Sequence, residues 1–448
     1  MLKKKIKNRS VDLFFIIINN AMKKINIIGA GLSGSEAAYY LLKKGYEVHL
    51  YEKRPLFNTQ AHTTDLFGEL VCSNSLKSNR LDNACGLLKE EMRNLDSLTM
   101  GAASLTSVPS GNALSVDRIK FAEYITNKIK SFPNLVFHNE DVNKFPDGIT
   151  IVATGPLTSE KLSIYLSNVI GQENLFFFDA SAPIVEKDSI NMNIAYKKAR
   201  YDQGDDSYIN CPFSKEEYDL FYNELINAKL AMTHEFDKAY FEGCMPIEVM
   251  AKRGYDTLRY GPLKPKGLQR LDKPKAYAVL QLRQDNLLGN LYNIVGFQTN
   301  LTYSEQKRVF RLIPGLENAR FVRYGLMHRN SYICSPLALN SNMSLKNNNN
   351  IFITGQLCGV EGYVESSAMG ILTAIYVDEY INNKIVDDIP LTTILGCLHN
   401  YVINANPQDF SPMNANFGIM NNVNKHNRDL AISRSLEDIK KWWNKING

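Results

Sequence analysis

The stretch Ile25–Gly34, which reads INIIGAGLSG, decides the fold of this 448-residue chain. Its mainly apolar first four residues predict a short β-strand, and the residues that follow predict a helix continuing through Lys44. Between strand and helix, Gly29 permits a tight turn, Gly31 lets the backbone approach a phosphate, and Gly34 lets the helix pack closely on the strand. The unpaired N–H groups at the start of such a helix form a binding site for a pyrophosphate.

A second strand, Glu47–Tyr51, follows the helix and leads into Glu52. Two strands joined by one helix predict half of a doubly wound, parallel α/β sheet. The carboxylate of Glu52 ends the second strand, where it can accept hydrogen bonds from the hydroxyl groups of an adenosine ribose. The residues that the sequence predicts to bind a dinucleotide cofactor here are Gly29, Ala30, Gly31, Leu32, Ser33, Gly34 and Glu52.

A second glycine-rich element occurs late in the chain, where the strand Ile351–Thr354 meets Gly355 and a long helix over residues 364–382 follows. In two-part flavoproteins an element of this kind returns to the isoalloxazine ring and the ribityl chain, and an NAD dehydrogenase does not need it. FAD is therefore the predicted cofactor, and Gly355 and Glu361 are further candidates for its site. Glu361 can orient the cofactor or a folate, or it can be a carboxylate that the helix dipole favours at a helix start.

We predict a doubly wound, FAD-binding Rossmann-like α/β domain into which a second, α+β domain is inserted. The insertion is assigned to the region that is rich in Tyr and Phe and lacks a βαβ rhythm. The low-complexity segment Lys346–Asn350 is predicted to be a loop. The predicted divisions are an N-terminal extension (1–21), the first part of the FAD-binding domain (22–158), the insertion domain (159–323), and the second part of the FAD-binding domain with a C-terminal helix (324–448).

The composition narrows the class of protein. A formal net charge of +5 is compatible with an RNA partner without being specific for one. The seven cysteines show neither the close spacing of a zinc site nor a disulfide framework, so we expect no metal and a cytoplasmic location. The apolar run Leu13–Ile18 is too short for a signal peptide or a membrane span, so we expect no membrane segment.

Longer motifs across the chain share one resemblance. They are Glu69–Asn79 (ELVCSNSLKSN), Leu88–Arg93 (LKEEMR), Phe241–Glu248 (FEGCMPIE), Gln281–Asp285 (QLRQD), Gly355–Glu365 (GQLCGVEGYVE) and Asn414–Gly418 (NANFG). Together they resemble the TrmFO family, the folate- and FAD-dependent tRNA (uracil-5-)-methyltransferases, which are relatives of the GidA flavoproteins. The resemblance runs from about Lys24 to beyond Gly418, which is nearly the whole chain.

The resemblance implies an activity and a pair of catalytic residues. The activity is transfer of carbon from methylenetetrahydrofolate to C5 of a uridine in the tRNA T-loop, with FAD as cofactor and NAD(P)H as reductant. Uracil C5 is a poor nucleophile until a group adds at C6, and a thiolate suits that addition because it attacks well and leaves again. The family's functional cysteines correspond to Cys72 and Cys244, with the leading nucleophilic role assigned to Cys244 and a supporting role to Cys72. A structural role is expected for the remaining cysteines, which are Cys85, Cys211, Cys334, Cys358 and Cys397.

The segment Lys307–Arg329 is the candidate contact with RNA. It carries six basic side chains and one acid, with Phe321 and Tyr324 between them, which suits phosphate contact and base stacking. A solvated basic face explains the same pattern equally well. His62 and His328 are candidate acid–base groups, although a single histidine is more often a packed or surface residue.

The chain departs from the family pattern at four places. Cys334 and Cys358 stand where the family usually has no cysteine, Asn300 stands where a histidine is common, and the loop after Gly418 lacks the usual proline pair. Cys358 lies in the turn expected to face the flavin and can alter that site, whereas the other departures leave FAD binding intact and the RNA target open. The alternatives to tRNA methylation are the same reaction on ribosomal RNA and a flavin-loaded RNA-binding protein without catalytic activity. A GidA-like uridine modification is less favoured, because the long helical C-terminal extension expected there is missing from this sequence.

Overall fold

The computed structural model describes residues 23–57, 62–170, 175–180, 182–202, 208–231, 245–269, 274–285, 289–325, 327–384, 388–408, 410–421, 423 and 426–447. The side chains of residues 175–180, 202 and 327–330 are not described, and these include His328. The predicted N-terminal extension and Cys244 lie outside the described residues.

The elements are numbered in chain order through the described residues. The strands are β1 (Lys24–Ile28), β2 (Glu47–Glu52), β3 (Ser75–Ser78), β4 (Ser107–Val108), β5 (Ala113–Val116), β6 (Leu135–Asn139), β7 (Ile149–Val152), β8 (Leu175–Ala180), β9 (Ile184–Glu186), β10 (Tyr196–Lys197), β11 (Ile209–Phe213), β12 (Ala278–Gln284), β13 (Leu291–Ile294), β14 (Phe321–Arg323), β15 (Met327–Tyr332), β16 (Ser344–Leu345) and β17 (Asn348–Ile353). The α-helices are α1 (Leu32–Lys43), α2 (Ala84–Asn94), α3 (Leu98–Leu105), α4 (Arg118–Lys130), α5 (Glu160–Ile170), α6 (Lys215–Ile226), α7 (Ile247–Lys252), α8 (Thr257–Tyr260), α9 (Tyr303–Phe310), α10 (Ser335–Ala338), α11 (Tyr363–Ile381), α12 (Ile394–Asn404) and α13 (Arg428–Asn447).

The first sheet has the strand order β16-β17-β7-β1-β2-β6, and all of its strands except β16 run parallel. β1 pairs with β2 on one side and with β7 on the other, and α1 makes the crossover from β1 to β2. The strand order therefore reverses at β1 and β7, and a crevice forms outside the carboxyl ends of these strands, where open parallel sheets bind ligands. The predicted doubly wound α/β fold is confirmed.

Helices α1 and α11 lie against each other so closely that a side chain would not fit between them. A Cβ atom at Gly370 of α11 would lie 2.4 Å from the carbonyl oxygen of Ser33 in α1. The strand β1 also lies in the close-packed core, since its side chains Ile25 and Ile27 are fully buried. This packing brings the late glycine-rich element beside the early one, although more than 300 residues separate them in sequence.

One local prediction is wrong. The segment Lys346–Asn350 was expected to be a loop, but β17 already begins at Asn348. The backbone of β17 forms an antiparallel hairpin with β16, in which Leu345 pairs with Asn348. Polar asparagine side chains tolerate this because they are exposed, and the ladder is formed by main-chain groups.

A second sheet, with the order β10-β11-β12-β13-β9-β14, lies within the region predicted to be inserted, and its strands are antiparallel. It has its own apolar core, which includes Val185 of β9, Phe221 of α6 and Leu280 of β12. Strands with helices segregated beside them form the predicted α+β arrangement. The boundaries at residues 159 and 323 stay predictions.

Within the described ranges, no helix combines the length and the apolar character needed to cross a membrane.

Candidate active site

A cleft open to solvent, with about 960 Å³ of space between atoms, lies at the carboxyl ends of β1, β2 and β7. The turns after these strands line it, together with Tyr363 at the start of α11. Five of the predicted cofactor residues belong to this lining, while Ala30, Gly34, Gly355 and Glu361 do not. The five are Gly29, Gly31, Leu32, Ser33 and Glu52.

The three glycines after β1 have different surroundings. Gly29 has φ +101°, and a Cβ there would lie 2.7 Å from the carbonyl oxygen of Ala153. A Cβ at Gly34 would lie 1.9 Å from the carbonyl oxygen of Gly29, so α1 can approach the turn only without a side chain. At Gly31 a Cβ would meet no described atom within 4 Å, and Gly31 lines the cleft. Gly31 therefore keeps space open for a ligand, whereas the other two glycines permit packing.

The N-terminus of α1 points its backbone donors toward this space. No side chain of the described residues caps the helix, whose N-cap is Gly31. Helix N-terminal N–H groups carry partial positive charge and bind the phosphates of a ligand.

Gly355 holds the second glycine-rich turn against the start of α1. It has φ +69°, and a Cβ there would lie 2.8 Å from the Cβ of Ser33. The hydroxyl of Ser33 donates to the hydroxyl of Thr354 at 3.2 Å, which also accepts from Thr373 at 3.0 Å. Gln356, the next residue, reaches the cleft wall. Gly355 thus serves the site through packing and not through contact with the cleft.

Glu52 is a buried carboxylate at the end of β2. Its Oε2 accepts a hydrogen bond from the N–H of Ala30 at 3.0 Å, and its Oε1 accepts from the backbone N–H and the Nε of Arg54 at 3.1 and 2.9 Å. Burial raises the pKa of Glu52, but the hydrogen bonds and charge of Arg54 and the N–H of Ala30 outweigh it, so the net pKa is lowered. The site therefore contains an ionised acceptor at neutral pH.

Arg54 connects Glu52 to a second carboxylate. Its Nη1 lies 3.3 Å from Oε2 of Glu69. The backbone N–H and hydroxyl of Thr63 donate to Oε1 of Glu69, and those of Thr64 donate to its Oε2. His62 lines the cleft beside this network. Burial, followed by the positive charge of Arg54, lowers the pKa of His62 to about 4. The imidazole is therefore neutral at pH 7 and has no proton to donate as an imidazolium.

Cys72 is not among the residues that line the cleft but adjoins it, because its neighbour Val71 and its backbone partner Tyr363 both line it. Its backbone N–H donates to the hydroxyl oxygen of Tyr363 at 2.6 Å, and the N–H of Ser73 donates to the same oxygen at 3.2 Å. Burial, and then the charge of a Cys72 thiolate, raise the pKa of Tyr363. The phenol of Tyr363 therefore keeps its proton at neutral pH.

Glu361 is buried in the turn before α11. Its Oε2 accepts a hydrogen bond from Nε2 of Gln356 at 2.9 Å, and its backbone N–H donates to Met413 at 2.8 Å. Because Gln356 lines the cleft, Glu361 is joined to the site through one side chain.

The remaining cysteines have the surroundings expected of structural residues. Cys334 is half-buried, and the described cysteines form no disulfide. The fully buried thiols are those of Cys85, Cys211, Cys358 and Cys397. In the described ranges, His, Cys, Asp and Glu side chains form no group of three or more that could hold a metal ion.

The basic segment predicted to contact RNA is largely paired within the protein. Arg308 bonds Glu305 at 2.8 Å and Arg320 bonds Glu186 at 2.6 Å. Arg323 turns inward and donates to a backbone carbonyl. The charge counted from the sequence is therefore partly neutralised before any RNA arrives.

Two aromatic residues of the same segment stack with Tyr303, which precedes the segment in α9. Tyr324 lies between Phe321 and Tyr303, with ring centroids 5.3 and 5.1 Å away. Tyr303 is 54% exposed, so one end of the stack faces solvent. An exposed ring of this kind can accept a nucleobase.

Sequence reasoning missed the polar groups that surround Cys72. Arg118, Arg283 and Arg323 converge on the segment that contains this cysteine, and Asp285 accompanies them. The available signal was Arg283 in the motif QLRQD, an arginine at a buried position of β12. A charge placed in a buried strand indicates a specific partner.

Comparison with known proteins gives consistent results. A family described as "Glucose inhibited division protein A" matches residues 24–385. A protein of Listeria innocua named methylenetetrahydrofolate–tRNA-(uracil-5-)-methyltransferase TrmFO is 52% identical over 428 residues, which cover 94% of this chain and 98% of that protein. A protein of Bacillus pumilus with the same name is 53% identical over 423 residues, which cover 93% and 98%. The solved structure of Aquifex aeolicus GidA has a TM-score of 0.66 at 15% identity, covering 96% of this chain and 76% of that one, and supports the fold alone.

Proposed function

The chain belongs to the TrmFO family of GidA-related proteins, and on that premise we propose that it is a folate- and FAD-dependent tRNA (uracil-5-)-methyltransferase. It takes carbon from methylenetetrahydrofolate and forms 5-methyluridine in tRNA. The observation that carries the proposal is 52% identity to a relative named for this reaction, over 98% of that relative's length. The T-loop as the position of the uridine, NAD(P)H as the reductant and the cytoplasm as the location are parts of the same proposal.

The cleft fits FAD. Gly31 leaves room for close approach of a pyrophosphate, and the N-terminus of α1 is not capped by a described side chain. Glu52, ionised at the end of β2, stands where an adenosine ribose needs an acceptor. When bound, FAD supplies the electrons that reduce the transferred carbon to a methyl group.

Two thiols carry the nucleophilic chemistry in this proposal. The thiolate of Cys244 adds to C6 of the uracil, which moves the C5–C6 π electrons toward C5 and makes C5 able to bond the donor carbon. Loss of the C5 proton to a base and cleavage of the bond between the donor carbon and the folate nitrogen, with departure of the folate, leave a methylene group at C5. Addition of a hydride equivalent, which bound reduced FAD would supply, and departure of the thiolate then give the methyl group and restore the C5–C6 double bond. Cys72 supports this step from the edge of the cleft, where its backbone is held by Tyr363.

Other side chains position the reactants. Glu361 orients Gln356, whose amide faces the cleft and can bond a cofactor or a folate. The imidazole of His62 is neutral at pH 7, so it forms an uncharged part of the cleft wall and cannot act as a general acid there. The exposed face of Tyr303 offers a stacking position for a base of the RNA.

The decisive experiment maps the product. Purified protein is incubated with FAD, methylenetetrahydrofolate, NADPH and unmethylated tRNA, and 5-methyluridine is located by mass spectrometry. We expect one methylated uridine in the T-loop, and we expect Cys72→Ala and Cys244→Ala to keep RNA binding while losing methylation. Full methylation by both variants would refute the assignment of the cysteines.

The same assay separates the alternatives. Unmethylated ribosomal RNA is offered in a parallel reaction, and methylation there with none in tRNA would move the target to ribosomal RNA. A flavin-loaded protein that binds tRNA and methylates neither RNA would support the non-catalytic alternative.

A further inference from the structure

Three consecutive carbonyl groups beside Cys72 are held by arginine side chains. Nη1 of Arg118 donates to the carbonyl of Leu70 at 2.8 Å, and its Nη2 donates to the carbonyl of Cys72 at 3.3 Å. The carbonyl between them, that of Val71, accepts from Nη2 of Arg323. Loop backbone ordinarily bonds water or neighbouring main chain, so such a run of guanidinium contacts is a specific arrangement.

The following groups of the same segment are also held. The N–H groups of Cys72 and Ser73 both donate to the hydroxyl of Tyr363. The guanidinium group of Arg283 donates to the hydroxyl of Ser73 and, at 3.2 Å, to the side-chain oxygen of Asn74. The backbone on both sides of the Cys72 thiol is therefore fixed by side chains from other elements.

These side chains join the two sheets of the molecule. Arg118 begins α4, whereas Arg323 ends β14 and Asp285 follows β12 in the second sheet. Oδ1 of Asp285 accepts from both Nε and Nη2 of Arg118 at 3.1 Å, and both side chains are at least 90% buried. The ion pair thus orients the guanidinium group that holds the Cys72 segment, and the second sheet supplies its anchor.

Burying Arg323 beside a second arginine, Arg118, costs free energy, which indicates that the two side chains have a specific role. Burial, and then the positive charge of Arg118, lower the pKa of Arg323, which shows that the two cations disfavour each other. The hydrogen bond to Val71 and the carboxylate of Asp285 offset that cost. A loop that needed only stability would be satisfied by neutral donors.

We propose that Arg118, oriented by Asp285, and Arg323 are positioning residues that fix the backbone of residues 70–72 and thereby the thiol of Cys72. The inference rests on the catalytic role proposed for Cys72. Positioning of a reacting group contributes to the rate of the chemical step, and a displacement of about 1 Å can lower the rate about 100-fold. Loss of either contact should therefore lower kcat and leave KM for tRNA nearly unchanged.

The test uses the full-length, FAD-loaded protein and the variants Arg323→Met, Arg323→Lys and Asp285→Asn. The matched control is Arg434→Met, which removes an exposed arginine that pairs with Asp438 on the C-terminal helix. We expect Arg323→Met and Asp285→Asn to lower kcat about 10- to 100-fold, with flavin absorbance and cooperative unfolding retained. Asp285→Asn leaves the buried Arg118 without its carboxylate, so its melting temperature should also fall. Arg323→Lys keeps a donor and should recover part of the loss, while Arg434→Met should match the parent protein.

A second readout does not depend on methylation. Alkylation of each thiol by iodoacetamide is followed by mass spectrometry, with the half-buried Cys334 as an internal reference. In Arg323→Met and Asp285→Asn, the alkylation rate of Cys72 should change at least about threefold, because thiol reactivity follows its surroundings. The rate at Cys334 should not change.

The possible results separate a positioning role from substrate contact and from a purely structural role. Unchanged kcat and unchanged Cys72 alkylation overturn the proposal, as does a rise in KM alone, which would make the arginine a substrate contact. Loss of folding in both Arg323→Met and Asp285→Asn also overturns it, in favour of a purely structural role. If the parent protein methylates neither RNA, the proposed function fails, and the alkylation rates alone then support or overturn the positioning role.

Discussion

The glycine turn after β1 supports a prediction in which two similar substitutions have opposite consequences. In Gly34→Ala the new Cβ would lie 1.9 Å from the carbonyl oxygen of Gly29, 3.0 Å from its carbonyl carbon and 3.2 Å from the Cβ of Ala153. Real Cβ atoms are essentially never found closer than 3.0 Å to a neighbour, so helix and turn must separate by at least about 1.1 Å. All three contacts are with backbone or with a rigid methyl group, so no flexible side chain can yield.

The expected cost of Gly34→Ala is large for a single methyl group. Overpacking a tight interior costs about 1–3 kcal/mol, and the rigid surroundings place this site at the upper end. Separation of α1 from the turn also displaces the backbone N–H groups that would bind a pyrophosphate. We therefore expect a lower free energy of unfolding in urea and loss of FAD binding together.

Gly31→Ala is the matched control at the same turn. Its Cβ would meet no described atom, and φ at Gly31 is −70°, which alanine adopts without strain. The free energy of unfolding of the FAD-free protein should therefore fall by no more than about 1 kcal/mol, which is the cost of the poorer N-cap residue alanine relative to glycine. The methyl group instead fills space in the cleft, so FAD affinity should fall at least about tenfold, or about 1.4 kcal/mol.

The assay combines urea unfolding of the FAD-free proteins with fluorescence titration of FAD. Normal FAD affinity in Gly34→Ala, or unchanged FAD affinity in Gly31→Ala, would refute the division of roles between packing and ligand space. The result does not depend on which RNA is methylated.

Three further predictions concern buried titratable groups. Burial raises the pKa of Glu91 to about 7. Glu91→Ala removes a fully buried acceptor of hydrogen bonds from the N-terminus of α12 and from Ser435, so the urea midpoint should fall by the equivalent of about 1–3 kcal/mol. Glu52 has a lowered folded-state pKa, so its contribution to stability is present above the ordinary value of 4.5 and lost as pH falls below it. Glu52→Gln should flatten the acid limb of the stability–pH curve, and an unchanged limb would contradict the pairing with Arg54. The ring protons of His62 should titrate in NMR spectra near pH 4, and a midpoint near 6.5 would show that the imidazole is not buried as described.

Several features were predictable because they depend on neighbouring residues. The sequence around Gly29 predicted a strand, a turn and a helix, since backbone conformation and close packing at glycine follow local rules. The position of Glu52 at the end of β2 followed from the length of one βαβ crossover. The late element at Gly355 was identified on the same basis, although its contact with Ser33 could be seen only in the folded chain.

Other expectations needed the tertiary structure to judge them. The sequence makes the segment Lys307–Arg329 a candidate RNA contact, with a solvated basic face as an equal alternative. In the structure Arg308 and Arg320 bond carboxylates and Arg323 faces inward. Sequence shows how many charges a segment has and not which of them already have partners. His62 was a candidate acid–base group, and only its burial beside Arg54 shows that it is uncharged at pH 7.

The sequence by itself determined the dinucleotide cradle and the family, because glycine spacing, strand periodicity and long motifs are properties of short segments. Only the tertiary structure decided what surrounds Cys72. Arg118, Asp285 and Arg323 are 46, 213 and 251 positions away from it in the chain. These residues come together only because the second sheet packs against the first. The free energy of that packing comes from many contacts in two cores, so no short stretch of sequence predicts it.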